Sequence, residues 1–450
     1  MKKRVDLLNG NILSSLIKLA LPITATSLIQ VAYNMTDMIW IGRVGSGAVT
    51  AIGTAGMYMW IAQGVAIIPK IGGQVRVAQE IGSNNISYAK KITNTVLQIT
   101  IFLALIYSLF LYFGNHSLIA FYNLSNPETI MRAENYLKII CFGLIFTFFN
   151  FVMTGLLTAT GDSKSPFIAN TMGLAINIIL DPLLIFGIGF LPALNVSGAA
   201  IATIVAQLSV SLYFVRHIVE DNYLFNEIKL TQKIIFNEIK SILKVGFPSA
   251  IQTIGFAFIS MIISRYVATF GDEAIAVQRV GSQIESVSWM TADGFSASIN
   301  TFIAQNYGAK NIKRAKKGYL TAFVLISIWG VFTTLLLFFG SSHIFKIFIV
   351  EPELLPMGTE YLKILGLSQL FMCYEIVTSG AFAGFGKTSI PSTVSLVLTS
   401  ARIPGTIILA NLLGNITGVW WAISISTLLK GLLLIIFFKI FIGSIEKKYA

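Results

Sequence analysis

The sequence predicts an all-α integral membrane protein: twelve transmembrane helices in two six-helix halves related by a pseudo-two-fold axis along the membrane normal. Three observations predict it. Apolar residue types (A, V, I, L, M, F, W, Y, C) make up 55% of the 450 positions and charged types only 12%, about half the charge of a soluble domain. The apolar residues lie in long continuous runs. The second half of the chain partly repeats the first.

A helix needs about 20 apolar residues to cross a bilayer. Twelve stretches qualify: residues 12–40, 48–72, 92–114, 136–158, 166–190, 196–219, 240–269, 274–300, 318–342, 361–384, 390–413 and 416–442. They are continuous and lack the short alternation of a barrel strand, so helices are expected. No polar stretch between them is long enough for a separate soluble domain; the longest runs from Arg216 to Lys244.

Lys and Arg in the connections set the orientation. One set carries Lys2, Lys3, Arg4, Arg76, Lys90, Lys91, Lys164, Arg216, Lys229, Lys233, Lys240, Lys244, Lys310, Lys313, Arg314, Lys316, Lys317, Lys387, Lys447 and Lys448. The other carries little beyond Arg43, Arg132 and Lys346. Both termini are therefore expected in the cytoplasm, with the chain crossing a bacterial cell membrane many times. The net charge of +12 has this origin, so the bilayer is the expected partner and nucleic acid is not. The start, MKKRVDLLNG, looks like the basic region of a signal peptide. Lys18 interrupts the apolar run behind it and no A-x-A site follows cleanly, so it reads as uncleaved. Cys141 and Cys373 sit in apolar segments and the three histidines are scattered. No metal cluster, disulfide framework or cofactor is expected.

At a shift of 226 residues, AQEIGSNNISYAKK (78–91) falls on AQNYGAKNIKRAKK (304–317), with eight identities in fourteen positions. The same shift pairs Lys18 with Lys244, Pro22 with Pro248 and Ala48 with Ala274. A shift of 225 pairs Tyr136-Leu-Lys-Ile with Tyr361-Leu-Lys-Ile, and Gly161–Pro166 with Gly386–Pro391. Two lobes follow, 1–222 and 223–450. Six spans per half is an even number, so the halves enter the membrane the same way, an arrangement that suits alternating access to a path between parallel repeats. Gly82 and Gly308 stand where long helices should end and are expected to supply the left-handed closing residue.

Asp37 stands out because a carboxylate near the middle of a membrane helix costs roughly 2.5–3.5 kcal/mol on insertion scales and usually marks an ion or substrate path. It lies toward the C-terminal end of its span, where the helix dipole disfavours an anion. Gln30, Asn34 and Asp37 share one helix face, as do Asn170, Asn177 and Asp181 in the fifth span. Two polar stripes, each ending in Asp, call for one another or for a water-filled cavity. Paired carboxylates in a low dielectric repel, which lets one hold a proton near neutral pH. The same oxygens with Asn177 could ligate sodium, a hard cation; the proton is the favoured ion. The repeat does not copy these acids: Asp37 falls on Ile263, Asn34 on Ser260 and Asp181 near Ile403. The first half is therefore expected to be specialised for the cation.

In the second half, Gln278, Glu285, Trp289, Asp293 and Ser296 share a broad face of span eight, and Glu375 lies among Phe371, Tyr374 and Phe382. Carboxylates with aromatics suit lipophilic organic cations through Coulomb attraction and cation–π contact. Arg265, Arg279 and Arg402 could instead pair with Glu285 or Asp293 as structural glue.

Twelve spans in parallel halves, Pro22 and Asp37 in the first span, the repeated Ala-Gln-x-x-Gly segments and Asn177-x-x-x-Asp181 resemble the MATE (multidrug and toxic-compound extrusion) transporters over the full length of the chain. The details look most like the DinF-like prokaryotic branch. The resemblance implies an antiporter, not an enzyme, coupled to H+ or Na+ and exporting small organic cations or drugs by alternating access, acting as a monomer. It implies a coupling pocket of Asp37, Asp181, Asn177, Asn34 and Gln30, with Thr203 nearby. It implies a hinge at Pro22, where protonation of Asp37 bends the first span. Tyr33, Gln278, Glu285, Trp289, Asp293 and Glu375 are the candidate substrate contacts. The Glu that some members carry in span seven is replaced here by Ile254, Gly255 and Phe256, which speaks against a second-half sodium site of that kind. The alternative is a lipid-linked oligosaccharide flippase of the same superfamily, which would be expected to show fourteen spans and a strongly cationic cavity. Enzyme signatures such as H-E-x-x-H, G-x-S-x-G and the P-loop are absent from the sequence.

Overall fold

The computed structural model describes the chain apart from residues 1–3, 125, 188–191, 222, 226–227, 229–231, 234, 349–350 and 450, and apart from the side chains of residues 32–35, 38–39, 46 and 272. The described residues are overwhelmingly helical and include no strand. The helices are α1 (Ile12–Val44), α2 (Ser46–Gly82), α3 (Ile86–Ala120), α4 (Pro127–Ala159), α5 (Lys164–Phe186), α6 (Asn195–Glu220), α7 (Phe236–Val267), α8 (Asp272–Gly308), α9 (Ile312–Phe339), α10 (Ser341–Phe348), α11 (Leu355–Gly366), α12 (Gln369–Gly384), α13 (Ser389–Ser400), α14 (Arg402–Leu413) and α15 (Thr417–Tyr449).

Among the described residues ten helical segments are long and apolar enough to cross a membrane, and α11 with α12 forms an eleventh, bent by 46°. The expected span at 274–300 is helical throughout as α8, but α8 is not among the eleven. Its composition explains this: Gln278, Arg279, Gln283, Glu285 and Asp293 interrupt the apolar residues. Two expected spans are also broken. The break between α11 and α12 follows Gly366, where the Ser368 hydroxyl donates to the Leu365 carbonyl at 3.0 Å and competes with the helix ladder. The break between α13 and α14 precedes Pro404, which cannot donate a backbone hydrogen bond to the turn ending at Ser400.

The chain forms two compact units: Met1–Arg4 with Ala25–Ala250, and Val5–Thr24 with Ile251–Ala450. This differs from a division at residues 222 and 223 in two helices. The first part of α1 belongs to the second unit and the first part of α7 to the first. Both changes of unit fall two residues beyond a matched proline, Pro22 or Pro248, and they lie 226 positions apart.

In the first unit, Ala51, Ala55, Ala62 and Ala66 lie on one buried face of α2 against Leu137, Leu144 and Phe148 of α4. Without a hydrophobic driving force in lipid, such small residues let helices approach closely enough for dispersion to hold them. The first turn of α7 is tied in by Glu238, which accepts from Arg76 Nη2 at 3.1 Å and from the Tyr88 hydroxyl at 2.8 Å. In the loop after α6, Asp221 pairs with Arg4 and accepts from the Leu224 and Phe225 amides at 2.9 and 3.3 Å. Burial pushes the Asp221 carboxyl up, but these amides and Arg4 outweigh it and hold the group below the usual carboxylate range.

In the second unit, the start of α1 is held in a corresponding way. Asn306 and Arg314 donate to the Leu7 carbonyl at 3.1 and 3.2 Å, and Ser298 donates to that of Leu16 at 3.0 Å. Arg314 is the residue matched to Tyr88 by the repeat. Phe302, Phe382 and Phe438 form the buried centre of this unit with Leu16 and Leu19.

The Ala-Gln-x-x-Gly segments do end helices, but the left-handed residues are Asn84 (φ 61°) and Lys310 (φ 58°), two positions beyond each glycine. Asn85 and Asn311 then cap α3 and α9, accepting from the amides of Tyr88 and Arg314 at 3.3 and 3.1 Å. Glycine is needed elsewhere, where α12 crosses α8. A Cβ at Gly380 would stand 2.4 Å from the Ser296 carbonyl oxygen. Gly380→Ala is expected to destabilise the protein by about 1–3 kcal/mol, read as a lower unfolding temperature in detergent; an unchanged temperature would contradict the close crossing.

Candidate functional site

In the first unit, Asp37 of α1 lies within hydrogen-bonding reach of Asp181 of α5. Asp181 is 1% exposed and Asp37 is half-buried. Asn177, one turn earlier on α5, donates through Nδ2 to Asp181 Oδ1 at 2.7 Å. The other oxygen, Oδ2, is buried and receives no hydrogen bond among the described residues. No Lys or Arg reaches either carboxyl among the described residues. Tyr136 of α4 lies beside both acids. Its position had no polar pattern to mark it; only its place in the repeated Tyr-Leu-Lys-Ile segment could have done so.

The other first-half candidates are placed less directly. Asn170 donates to the Pro166 carbonyl at 2.8 Å, within its own helix, so its stripe reaches the acids only through Asn177 and Asp181. Thr203 donates to the Ala199 carbonyl at 3.0 Å inside α6. Gln30 is half-buried on α1. The side chains of Tyr33 and Asn34 lie outside the described residues. Pro22 sits inside α1, which continues as helix on both sides of it.

The second unit buries acids and bases together. Glu375 is held on both oxygens, by Lys430 Nζ at 2.8 Å and by the Ser395 hydroxyl at 2.7 Å. Sequence reasoning offered only arginines as partners; Lys430, inside an otherwise apolar span, was the signal it passed over. Glu285 accepts from Gln369 Nε2 at 3.0 Å, and Tyr361 adjoins it. Arg402 lies near both Glu285 and Glu375 but donates to Ser426 and Thr427 at 2.5 and 2.9 Å. Gln278 accepts from Trp420 Nε1 at 3.3 Å. Trp289 and Asp293 are exposed on α8. Glu285, Glu375 and Gln278 are thus engaged inside the unit, whereas Trp289 and Asp293 are presented at its surface.

Two similar helical units, one with an acid pair that no Lys or Arg neutralises among the described residues, make this a multi-span membrane protein with an acidic site inside one unit. The family model described as MatE matches residues 22–183 and 248–408, segments that begin at the two matched prolines. The chain belongs to the MatE family and is a MATE transporter. It is similar to the probable multidrug resistance protein NorM of Thermotoga maritima, at 26% identity over 94% of this chain and 91% of that protein. It is similar to an FAD transporter of Shewanella oneidensis, at 25% identity over 96% and 95% of the two chains. Its fold matches a multidrug resistance MATE family transporter of the MOP superfamily in an outward-facing conformation, with a TM-score of 0.91, 20% identity and 99% of each chain covered.

Burying a charge whose partner is removed costs about 3–5 kcal/mol. Lys430→Met is expected to destabilise the second unit on that scale, and Lys430→Met with Glu375→Leu to recover most of it. Thermal unfolding of the single and double variants checks this; equal losses in both would contradict a charge pair.

Proposed function

We propose that the chain is a cation-coupled antiporter that exports lipophilic organic cations by alternating access. The observation that carries this reading is the buried, unneutralised pair Asp37–Asp181. Two carboxylates side by side in a low dielectric cannot both ionise cheaply, so a cation is needed at the pair. A proton shared between them is the simplest such cation. Sodium held by Asp37, Asn177 and Asp181 would use the same oxygens, and the proton is favoured because the two carboxyls lie within reach of a single shared hydrogen. Either ion competes with a cationic substrate for the same negative charge, and that competition is what couples import of one to export of the other. The names of the multidrug resistance relatives support drugs as the substrate class. An acid pair attracts a cation and repels a pyrophosphate, which weighs against the lipid-linked oligosaccharide flippase.

Pro22 has no backbone N–H to donate and so weakens the ladder of α1 two residues before the helix passes from one unit to the other. Protonation of the pair removes the charge that holds the outer part of α1 to the cavity water, and bending at Pro22 then collapses the first-unit cavity. Both termini are assigned to the cytoplasm from the Lys and Arg distribution, and the working form is a monomer.

The test is reconstitution into liposomes with ΔpH and ΔNa+ imposed separately, following ethidium movement. Wild-type protein is expected to move ethidium under ΔpH, Asp37→Asn to lose that movement at unchanged expression, and Pro22→Ala to be slowed. Wild-type transport by Asp37→Asn would overturn the assignment of the pair; normal export by Pro22→Ala would overturn the bending step alone.

A further inference from the structure

We propose that Glu285 is a second proton-binding residue, housed in the second unit, which holds its proton in a paired contact with the Gln369 amide and releases it with Arg402 as counter-charge. The inference goes beyond the Asp37–Asp181 pair and does not require it.

Glu285 and Gln369 are 9% and 1% exposed. One contact between them is made, from Gln369 Nε2 to Glu285 Oε2 at 3.0 Å. The other two oxygens, Glu285 Oε1 and Gln369 Oε1, are both buried and receive no hydrogen bond among the described residues. Rotating the amide does not repair this. Nε2 also donates to the Leu365 carbonyl at 3.3 Å, and exchanging the amide atoms would set oxygen against oxygen there and at Glu285. The Tyr361 hydroxyl lies within hydrogen-bonding reach of Glu285 and can serve its carboxyl, so the remaining deficit is one donor, at Gln369 Oε1. An ionised carboxylate offers only acceptors, whereas a carboxylic acid offers one donor and one acceptor, the complement of a primary amide. A proton on Glu285 Oε1 can donate to Gln369 Oε1 and close a two-bond ring. An unsatisfied buried polar group is costly, and here that proton relieves Gln369 Oε1.

The surroundings make the proton exchangeable. The charged or titratable groups that face Glu285 among the described residues are Tyr361 of α11 and Arg402 of α14. Among the described residues Arg402 donates to Ser426 and Thr427 and not to Glu285, so no ion pair fixes the carboxyl in its charged form. It is still near enough to stabilise the charge electrostatically once the proton leaves. Glu375 differs in that Lys430 holds it directly.

The repeat supplies an independent argument. Tyr136 lies beside Asp37 and Asp181, and its counterpart in the second Tyr-Leu-Lys-Ile segment, Tyr361, lies beside Glu285. Each unit therefore sets the same tyrosine against a buried acid, although the acids come from different helices: α1 and α5 in the first unit, α8 in the second.

Infrared difference spectroscopy of the purified protein, stepped from about pH 5 to about pH 9, tests this through the carboxylic-acid C=O stretch. The background is the Asp37→Asn/Asp181→Asn variant, so the outcome is independent of transport and of the first-unit pair. A titrating acid band is expected there and is expected to vanish on adding Glu285→Gln, which can keep a paired amide contact and so preserve packing. Gln369→Leu should leave the band but move it toward the frequency of an acid without that partner. A titrating spectrum unchanged by Glu285→Gln would overturn the proton site. A band unmoved in Gln369→Leu would overturn the pairing.

Discussion

Two carboxyl groups meeting inside a helical unit, with no Lys or Arg among the described residues to neutralise them, set requirements that much of the rest of the molecule meets. A membrane helix carries an acid at a cost, and two such acids in contact compound it unless a cation is supplied. Asp37 and Asp181 come from helices far apart in the chain, so the unit must hold α1 and α5 at a defined separation. Packing of α5 on α6, of α6 on α4 and of α4 on α2 provides that frame, and Ile41 of α1 joins it in a buried cluster with Ile185 of α5 and Val196 and Ala199 of α6. Asn177 donates to one oxygen of Asp181, and the other receives no hydrogen bond among the described residues. The second unit answers the same problem differently: Glu375 is paired with Lys430 inside it.

The repeat explains why both answers coexist on one scaffold. Its most faithful parts are turns and helix starts: Asn84 with Lys310 in the left-handed region, Asn85 with Asn311 as caps, and the prolines near which α1 and α7 change unit. These positions fix backbone geometry, which a duplicated bundle must keep. The acids sit on faces that are free to diverge, which is why Asp37 has Ile263 as its counterpart while the tyrosines persist.

Much of this was legible in the sequence. Apolar runs marked twelve spans, all helical in the described residues and eleven of them long and apolar enough to cross a membrane, because in lipid a helix is the only local way to satisfy the backbone. The i, i+4 spacing of Asn177 and Asp181 put both on one face of α5, where Asp181 meets Asp37. Other features were not legible, for physical reasons. The α11–α12 and α13–α14 breaks arise from single hydrogen bonds lost or diverted near Gly366 and Pro404, which leave hydropathy unchanged. The left-handed closing residues were assigned to Gly82 and Gly308, whereas Asn84 and Lys310 take that role, because the helices run to the glycines before turning. Lys430 escaped notice because it lies among apolar neighbours, Tyr136 was marked only by the repeat, and only the fold shows which acid each one faces. Of the α8 residues read as a surface for substrate, Glu285 turns inward to Gln369, whereas Trp289 and Asp293 are exposed.

The central claim is that substrate and coupling ion contend for one pair of carboxyls. Calorimetric titration of ethidium into detergent-solubilised protein, in sodium-free buffers of different ionisation enthalpy, measures the protons released as the drug binds, with no gradient and no transport step. Wild-type protein is predicted to release protons on binding, and Asp37→Asn to bind without releasing them. Proton release undiminished in Asp37→Asn, or drug binding by the wild type with no proton release and no competition from added sodium, would contradict the account.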